Sequence, residues 1–190
     1  MLIVFGGLPG TGKTALARMI ARERGATYLR IDTIEQALLA PEMRAVEVGP
    51  GGYLVAYALA EENLHLGRTV VADSVNPLAI TRDRWRAIAE AAALPILEIE
   101  VICSDPEEHR RRVETRHVDI PGLVPPTWCQ VTAHHYEPWN RPRLVLDTAG
   151  RTPEATLDEL RAVVVSAGID AKFSLYRSSR EREGPASAGG

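Results

Sequence analysis

Lysine is almost missing from this chain: of 22 basic residues only Lys13 and Lys172 are lysines, and the other twenty are arginines. Cysteine is scarce as well. Cys103 and Cys129 are too few and too far apart for a disulfide framework or a four-ligand zinc site, and they read as reduced, packed thiols. No apolar run approaches membrane-spanning length. Leu2 to Phe5 stops at a glycine cluster, without the basic leader or long apolar core of a signal peptide. Together these absences predict a soluble cytoplasmic protein with no membrane partner. A basic excess is lacking too. The formal net charge of −3 withholds the general attraction that nucleic-acid binders use, so nucleic acid is open as a partner only through a local patch and is not favoured. The 190 residues, 45% of them hydrophobic, suit one domain with a real core, and nothing in them decides between monomer and dimer.

What is present alternates between two periods. Leu2 to Phe5 reads as a buried strand and Thr14 to Arg24 as a helix with Leu16, Met19 and Ile20 on one face. Thr27 to Ile31 predicts a second strand, with Thr33 and Gln36 as a capping box for a short helix to Leu39. Pro41 to Gly52 reads as loop, and Tyr53 to Leu66 as a helix closed by Gly67. A strand over Thr69 to Ala72, a helix over Thr81 to Ala93 and a strand over Ile96 to Ile102 follow. Asp105, Pro106 and Glu108 supply a cap, a first-turn proline and a capping-box glutamate for an arginine-rich helix to about Arg116. Residues 117–139, rich in proline and aromatics, read as a lid in which Thr127 and Gln130 cap a short helix. Leu144 to Leu146 is a fifth strand, and Thr152-Pro153 opens a last helix ending near Gly168. Residues 1–170 thus form the domain, and 171–190 a disordered tail. This alternation predicts an α/β fold: a parallel sheet covered on both faces, with ligands beyond the carboxyl ends of its strands.

The chemistry concentrates in Gly7-Leu8-Pro9-Gly10-Thr11-Gly12-Lys13-Thr14, followed by Ala15. Glycines at these spacings let backbone N–H groups converge on phosphates. Lys13 reaches the outer ones, and Thr14 can ligate magnesium. One of only two lysines sits where a compact ammonium does what a guanidinium cannot. Asp73 ends a strand, as a magnesium-orienting carboxylate does, although Ser74, Asn76 and Pro77 also allow it to be a turn cap. Asp32 can take a proton from an attacking hydroxyl, or cap the next helix. Asp147 ends another strand on the same rim. Arg112 and Arg116 share a helix face and can offset charge on a transferred phosphoryl group. Arg110 and Arg111 read as solvated partners of Glu107, Glu108 and Glu114. Trp128, Tyr136 and Trp139 either cover substrate or pin the lid. His134, His135 and Cys129 fit no zinc spacing. Glu35, Arg44, Tyr53, Tyr57 and His65 are candidates for acceptor recognition.

With GLPGTGKT, Asp32, the Asp73-Ser74-Val75-Asn76 run and an arginine-rich helix before a lid in that order, the chain resembles small P-loop kinases of the AAA_33 type. Gluconate kinase, shikimate kinase, chloramphenicol phosphotransferase, the zeta-toxin kinases and the kinase domain of phage polynucleotide kinase share the plan. The resemblance covers about Leu2 to Gly168, and GLPGTGKT is its specific motif. It implies a three-layer P-loop NTPase sandwich with strand order 2-3-1-4-5, ATP with Mg²⁺ as donor, and a small-molecule hydroxyl as acceptor. It also implies Lys13 and Thr14 on phosphate and metal, Asp32 as the base, Arg116 or Arg112 as the lid arginine, and adenine between the arginine-rich helix and Asp147 to Pro153. Ile34 stands where shikimate kinases carry a second aspartate, which argues against shikimate. The alternatives are a polynucleotide or nucleotide 5′-hydroxyl kinase and, in another class, a nucleotide-switch ATPase acting through a protein partner.

Overall fold

A computed structural model describes residues 1–41 and 48–166. The tail from 171 on, Lys172, Arg44 and the expected helix end near Gly168 lie outside the described residues. Five strands, β1 (Leu2–Gly6), β2 (Thr27–Arg30), β3 (Val70–Asp73), β4 (Ile96–Ile102) and β5 (Leu144–Asp147), pair in parallel in the order β2-β3-β1-β4-β5. β1 is central and wholly buried, so it reads as a continuous apolar run. Its alternate residues serve opposite faces of the sheet. Ile3 and Phe5 pack with Leu16, Ala17 and Ile20 of α1 (Lys13–Arg24) and with Leu157, Leu160 and Val164 of α7 (Pro153–Ser166). Leu2 and Val4 pack instead with Ala56, Tyr57, Ala60 and Leu64 of α3 (Gly51–His65) and with Trp85, Ile88 and Ala89 of α4 (Ala79–Ala91). This is the expected α/β sandwich. Its strand order puts the ends of β1 and β3 side by side, Phe5 opposite Asp73, with Arg30 of β2 opposite Asp73 on the other side. No described helix is long and apolar enough to cross a membrane.

Several expected helix starts need correction. α2 (Ile31–Leu38) begins directly from β2, with Arg30 as its N-cap and no side-chain cap hydrogen bond. Thr33 is therefore inside the helix and not a capping residue, and Asp32 lies in the first turn, where its charge favours the helix dipole without capping. Ile31 belongs to the helix and not to the strand. In α5 (Pro106–Thr115), Asp105 Oδ1 accepts from Glu107 N at 2.9 Å and Glu108 N at 3.1 Å, as expected of a cap. Glu108 does not close the box: its carboxylate accepts from Gly150 N at 2.8 Å and Arg112 Nη2 at 2.6 Å. A backbone donor from the loop after β5 and a guanidinium one turn along α5 outcompete the local partner. Arg116 is the C-cap residue of α5. Cys103 is buried, but Cys129 is exposed and not packed.

Residues 117–139 contain α6 (Trp128–Thr132), whose capping box from Thr127 and Gln130 forms as its sequence predicts. The end of this segment is tied to α4 by one buried arginine. Arg82 donates to Asn76 O at 3.0 Å, Pro77 O at 2.7 Å, Glu137 O at 2.6 Å and Pro138 O at 3.2 Å. Its guanidinium also lies over the rings of Tyr136 and Trp139, 5.1 and 4.4 Å from their centroids. Glu137 Oε2 accepts from Ala79 N at 2.6 Å, supplying the cap that α4 lacks locally. Tyr136 and Trp139 therefore pin the loop to the body.

Candidate functional site

The glycine-rich loop leaves β1 under close constraint. A Cβ on Gly7 would come within 2.2 Å of Val101 O on β4, and one on Gly10 within 2.5 Å of Val113 Cγ2 on α5. Both glycines also have positive φ, so side chains there are excluded by space and by conformation. The loop is held from outside itself. Gly7 N donates to Val75 O at 3.0 Å, His109 Nε2 donates to Pro9 O at 2.8 Å, and Thr148 Oγ1 lies 2.9 Å from Thr11 O. Trp128 meets the edge of His109 at 5.1 Å, so it braces this contact.

Beyond the loop lies a cleft of about 350 Å³ that brings together Lys13, Thr14, Asp32, Arg112 and Arg116 with Arg18, Arg30 and Asp119. The first five are residues the sequence marks as candidates; the last three are not. Burial pushes the Lys13 ammonium below its ordinary range, and the charges of Asp73 and Asp32 act against that shift. Asp73 is almost fully buried: Oδ2 accepts from Tyr28 Oη at 2.6 Å, while Oδ1 has no hydrogen-bond partner among the described residues. Burial, reinforced by the neighbouring Asp73, raises the Tyr28 phenol, so it stays protonated and donates. Thr14 and the unpaired Asp73 Oδ1 are hard oxygen donors of the kind that fit a magnesium ion. Asp73 also acts on Arg30, whose Nε lies 4.0 Å away.

Arg30 is the principal residue missed by sequence reading. Its side chain is 4% exposed, and it lies 3.7 Å from Asp32 and 2.9 Å from Asp119. Arg18 of α1 reaches the same Asp119 carboxylate. Hydrogen bonds from Arg30 and then Arg18 hold the Asp119 carboxyl well below the usual carboxylate range. A carboxyl whose folded-state pKa is depressed stabilises the fold above its unfolded value and loses that contribution as pH falls through the folded one. The difference in thermal midpoint between the wild type and Asp119→Asn should accordingly be constant above about pH 5 and shrink as pH drops below the ordinary 3.8. A difference that stayed constant to pH 2 would show that the paired charge contributes nothing.

A second cavity, of about 280 Å³, lies between α1, α5 and the β5 loop, lined by Gly12, Leu16, Arg112, Thr148, Arg151 and Pro153 among others. Arg112 borders both cavities. It donates to Thr148 Oγ1 at 2.7 Å, Thr148 O at 2.9 Å and Glu108 at 2.6 Å. Asp147 is occupied in shaping that loop, since Oδ1 accepts from Ser104 N and Ala149 N. Arg110 pairs with Glu114 and Arg111 lies near Glu108, both exposed as expected. Of the acceptor candidates, Tyr57 is core, donating to Thr81 O and packing on Trp85, and His65 is exposed at the far end of α3. Tyr53 lies nearer the rim: its Oη accepts from Asn76 N at 2.9 Å. Glu35, one turn from Asp32, has its carboxyl raised by burial and then by the Asp32 charge. Among the described residues no His, Cys, Asp and Glu group could hold a metal on its own, and His134 lines a separate cavity beside Val124 and Pro126.

A family model described as an AAA domain, AAA_33, matches residues 2–122, spanning the loop, Asp32, Asp73 and α5. The chain belongs to the AAA_33 family. No curated protein matches it significantly. Solved structures similar to this AAA_33 domain include an APS kinase from Mycobacterium tuberculosis in complex with AMPPNP and APS. That protein is 20% identical with a TM-score of 0.62, over 86% of this chain and 96% of the other. A gluconokinase from Sinorhizobium meliloti is 16% identical with a TM-score of 0.61, over 90% and 95%. Kti12 from Chaetomium thermophilum, in complex with ADP-AlF3, is 21% identical with a TM-score of 0.62, over 85% and 98%. At these identities the likeness establishes the fold alone, an α/β sandwich of the P-loop NTPase type.

Proposed function

We propose that this AAA_33 domain is an ATP-dependent phosphotransferase that moves the γ-phosphoryl group of ATP to a hydroxyl of a small molecule. The observation that carries this reading is the convergence of Lys13, Thr14, Asp32 and Arg116 on one cleft at the carboxyl ends of β1, β2 and β3. Loop amides and Lys13 hold the β- and γ-phosphates, and the cavity beside Arg112 and Thr148 takes the adenine. Thr14 and Asp73 hold Mg²⁺, which neutralises charge on the outer phosphates when bound. Asp32 accepts the proton of the attacking hydroxyl, and Arg116 offsets charge on the phosphoryl group in transit. Arg112 secures the loop between the two cavities. The AMPPNP and ADP-AlF3 complexes of the similar structures support a nucleotide in this place. Residues 1–170 act as the kinase domain, with 117–139 as its lid.

Incubation with γ-labelled ATP and a panel of hydroxyl compounds tests the reaction. Asp32→Asn should lower turnover by about 10²–10⁴-fold and leave the affinity for an ATP analogue within about twofold. Unchanged turnover would remove Asp32 from the role of base. ATP hydrolysis stimulated by a protein, with no compound in the panel labelled, would favour the switch ATPase instead.

A further inference from the structure

Arg30 faces three carboxylates, and they differ in origin. Asp73 ends β3 and Asp32 lies in the first turn of α2, whereas Asp119 arrives from the segment after α5. Asp119 bonds Arg30 Nη1 through both oxygens, at 2.9 and 3.1 Å, and takes Arg18 from the opposite side. The burial is unequal: the Arg30 side chain is 4% exposed and Asp119 39%. Arg30 Nε is buried without a hydrogen-bond partner among the described residues. Arg18, Arg30 and Asp119 line the cleft of Lys13 and Asp32, and none of them lines the cavity beside Arg112 and Thr148.

Two guanidiniums carried by separate elements and meeting at one point make an oxyanion receptor, because their planar donors match carboxylate, phosphate or sulfate oxygens. Burying a guanidinium so completely has a cost that only a retained partner offsets. Asp32 and Asp73 remain beside Arg30 as charge partners from the body, at 3.7 and 4.0 Å, while its hydrogen bonds among the described residues go to Asp119. The exposed carboxylate is thus the exchangeable one.

We infer that Arg18 and Arg30 form an oxyanion subsite for the phosphoryl acceptor, filled by Asp119 until the acceptor displaces it. This rests on the kinase reading and narrows it: the acceptor carries a carboxylate, phosphate or sulfate besides its hydroxyl. The molecule is small. Asp119 and Asp32 lie against the two amino groups of one guanidinium, so an oxyanion in place of the first and a hydroxyl facing the second span only a few bonds.

The subsite can be tested without turnover. The full chain, its phosphate loop saturated with magnesium and a non-hydrolysable ATP analogue, is titrated calorimetrically with lactate, inorganic phosphate and sulfate in parallel. Asp119→Asn should bind at least one of them on the order of tenfold more tightly than the wild type, and Arg18→Gln added to it should remove the gain. The responding anion assigns the acceptor's class. Should Asp119→Asn fail to fold, Arg18→Gln alone must weaken binding of at least one of the three anions, relative to the wild type, by a similar factor. Equal binding of all three anions by wild type and Asp119→Asn, or a gain that survives Arg18→Gln, overturns the subsite and leaves Asp119 as a structural tie. Such a failure leaves the phosphotransfer reading intact, because that reading is judged by labelled product and by Asp32→Asn.

Discussion

Replacing Lys13 with alanine is expected to lower phosphoryl transfer by about a thousandfold or more while the fold survives. The ammonium is buried at the edge of the phosphate loop, and desolvation already works against its charge there. A desolvated cation beside two aspartates becomes more strongly stabilised when a highly charged phosphate chain arrives, and that preference grows as charge shifts toward the transferred group. Arginine is a poor replacement, because a wide planar guanidinium does not act as a compact ammonium on the phosphates. Steady-state labelling of product would read the loss, with circular dichroism confirming the fold. Lys13→Ala with more than a tenth of wild-type turnover would be incompatible with the proposed site.

The largest effect on stability is expected at Arg82. Arg82→Met keeps most of the apolar stem but abandons four backbone carbonyls, two of them in the segment after α6. Leaving buried acceptors unpaired, together with the lost contacts to Tyr136 and Trp139, should cost about 3–5 kcal/mol. For a chain of this length that lowers the thermal midpoint on the order of 10 °C. The loss should be accompanied by increased proteolysis within residues 133–143. A midpoint lowered by less than about 2 °C would mean that the arginine's desolvation cancels its hydrogen bonds.

These two residues also show where sequence reading succeeds and where it stops. Lys13 is legible because the phosphate loop is local: eight consecutive residues set backbone geometry, glycine positions and the charged group together. The sheet was equally readable, since β1, β3 and β5 are short apolar runs ended by a glycine or an aspartate. Arg82 was hidden by its residue type, although it shares a helix face with the buried Trp85 and Ala89, which is the available signal. Arg30 ends a strand of only four residues, too short for its burial to show in any alternation. Asp119 offered no signal at all. Its partners are 89 and 101 residues away, and pairing across such distances is decided by the fold. Thr33 and Glu108 failed for a related reason. Both have the spacing of a capping box, but a direct strand-to-helix transition and a distant backbone donor took precedence over the local pattern.

The brace between α5 and the phosphate loop has a thermodynamic consequence. His109 and Val113 press on Pro9 and Gly10, and the same helix runs straight into residues 117–139. A ligand that prefers one placement of α5 therefore acts on both ends of it. If nucleotide and acceptor favour the same placement of α5, each must raise the affinity of the other by the same factor, since the coupling is reciprocal. Order of addition would then leave the final complex unchanged, and its assembly would be cooperative through a single helix.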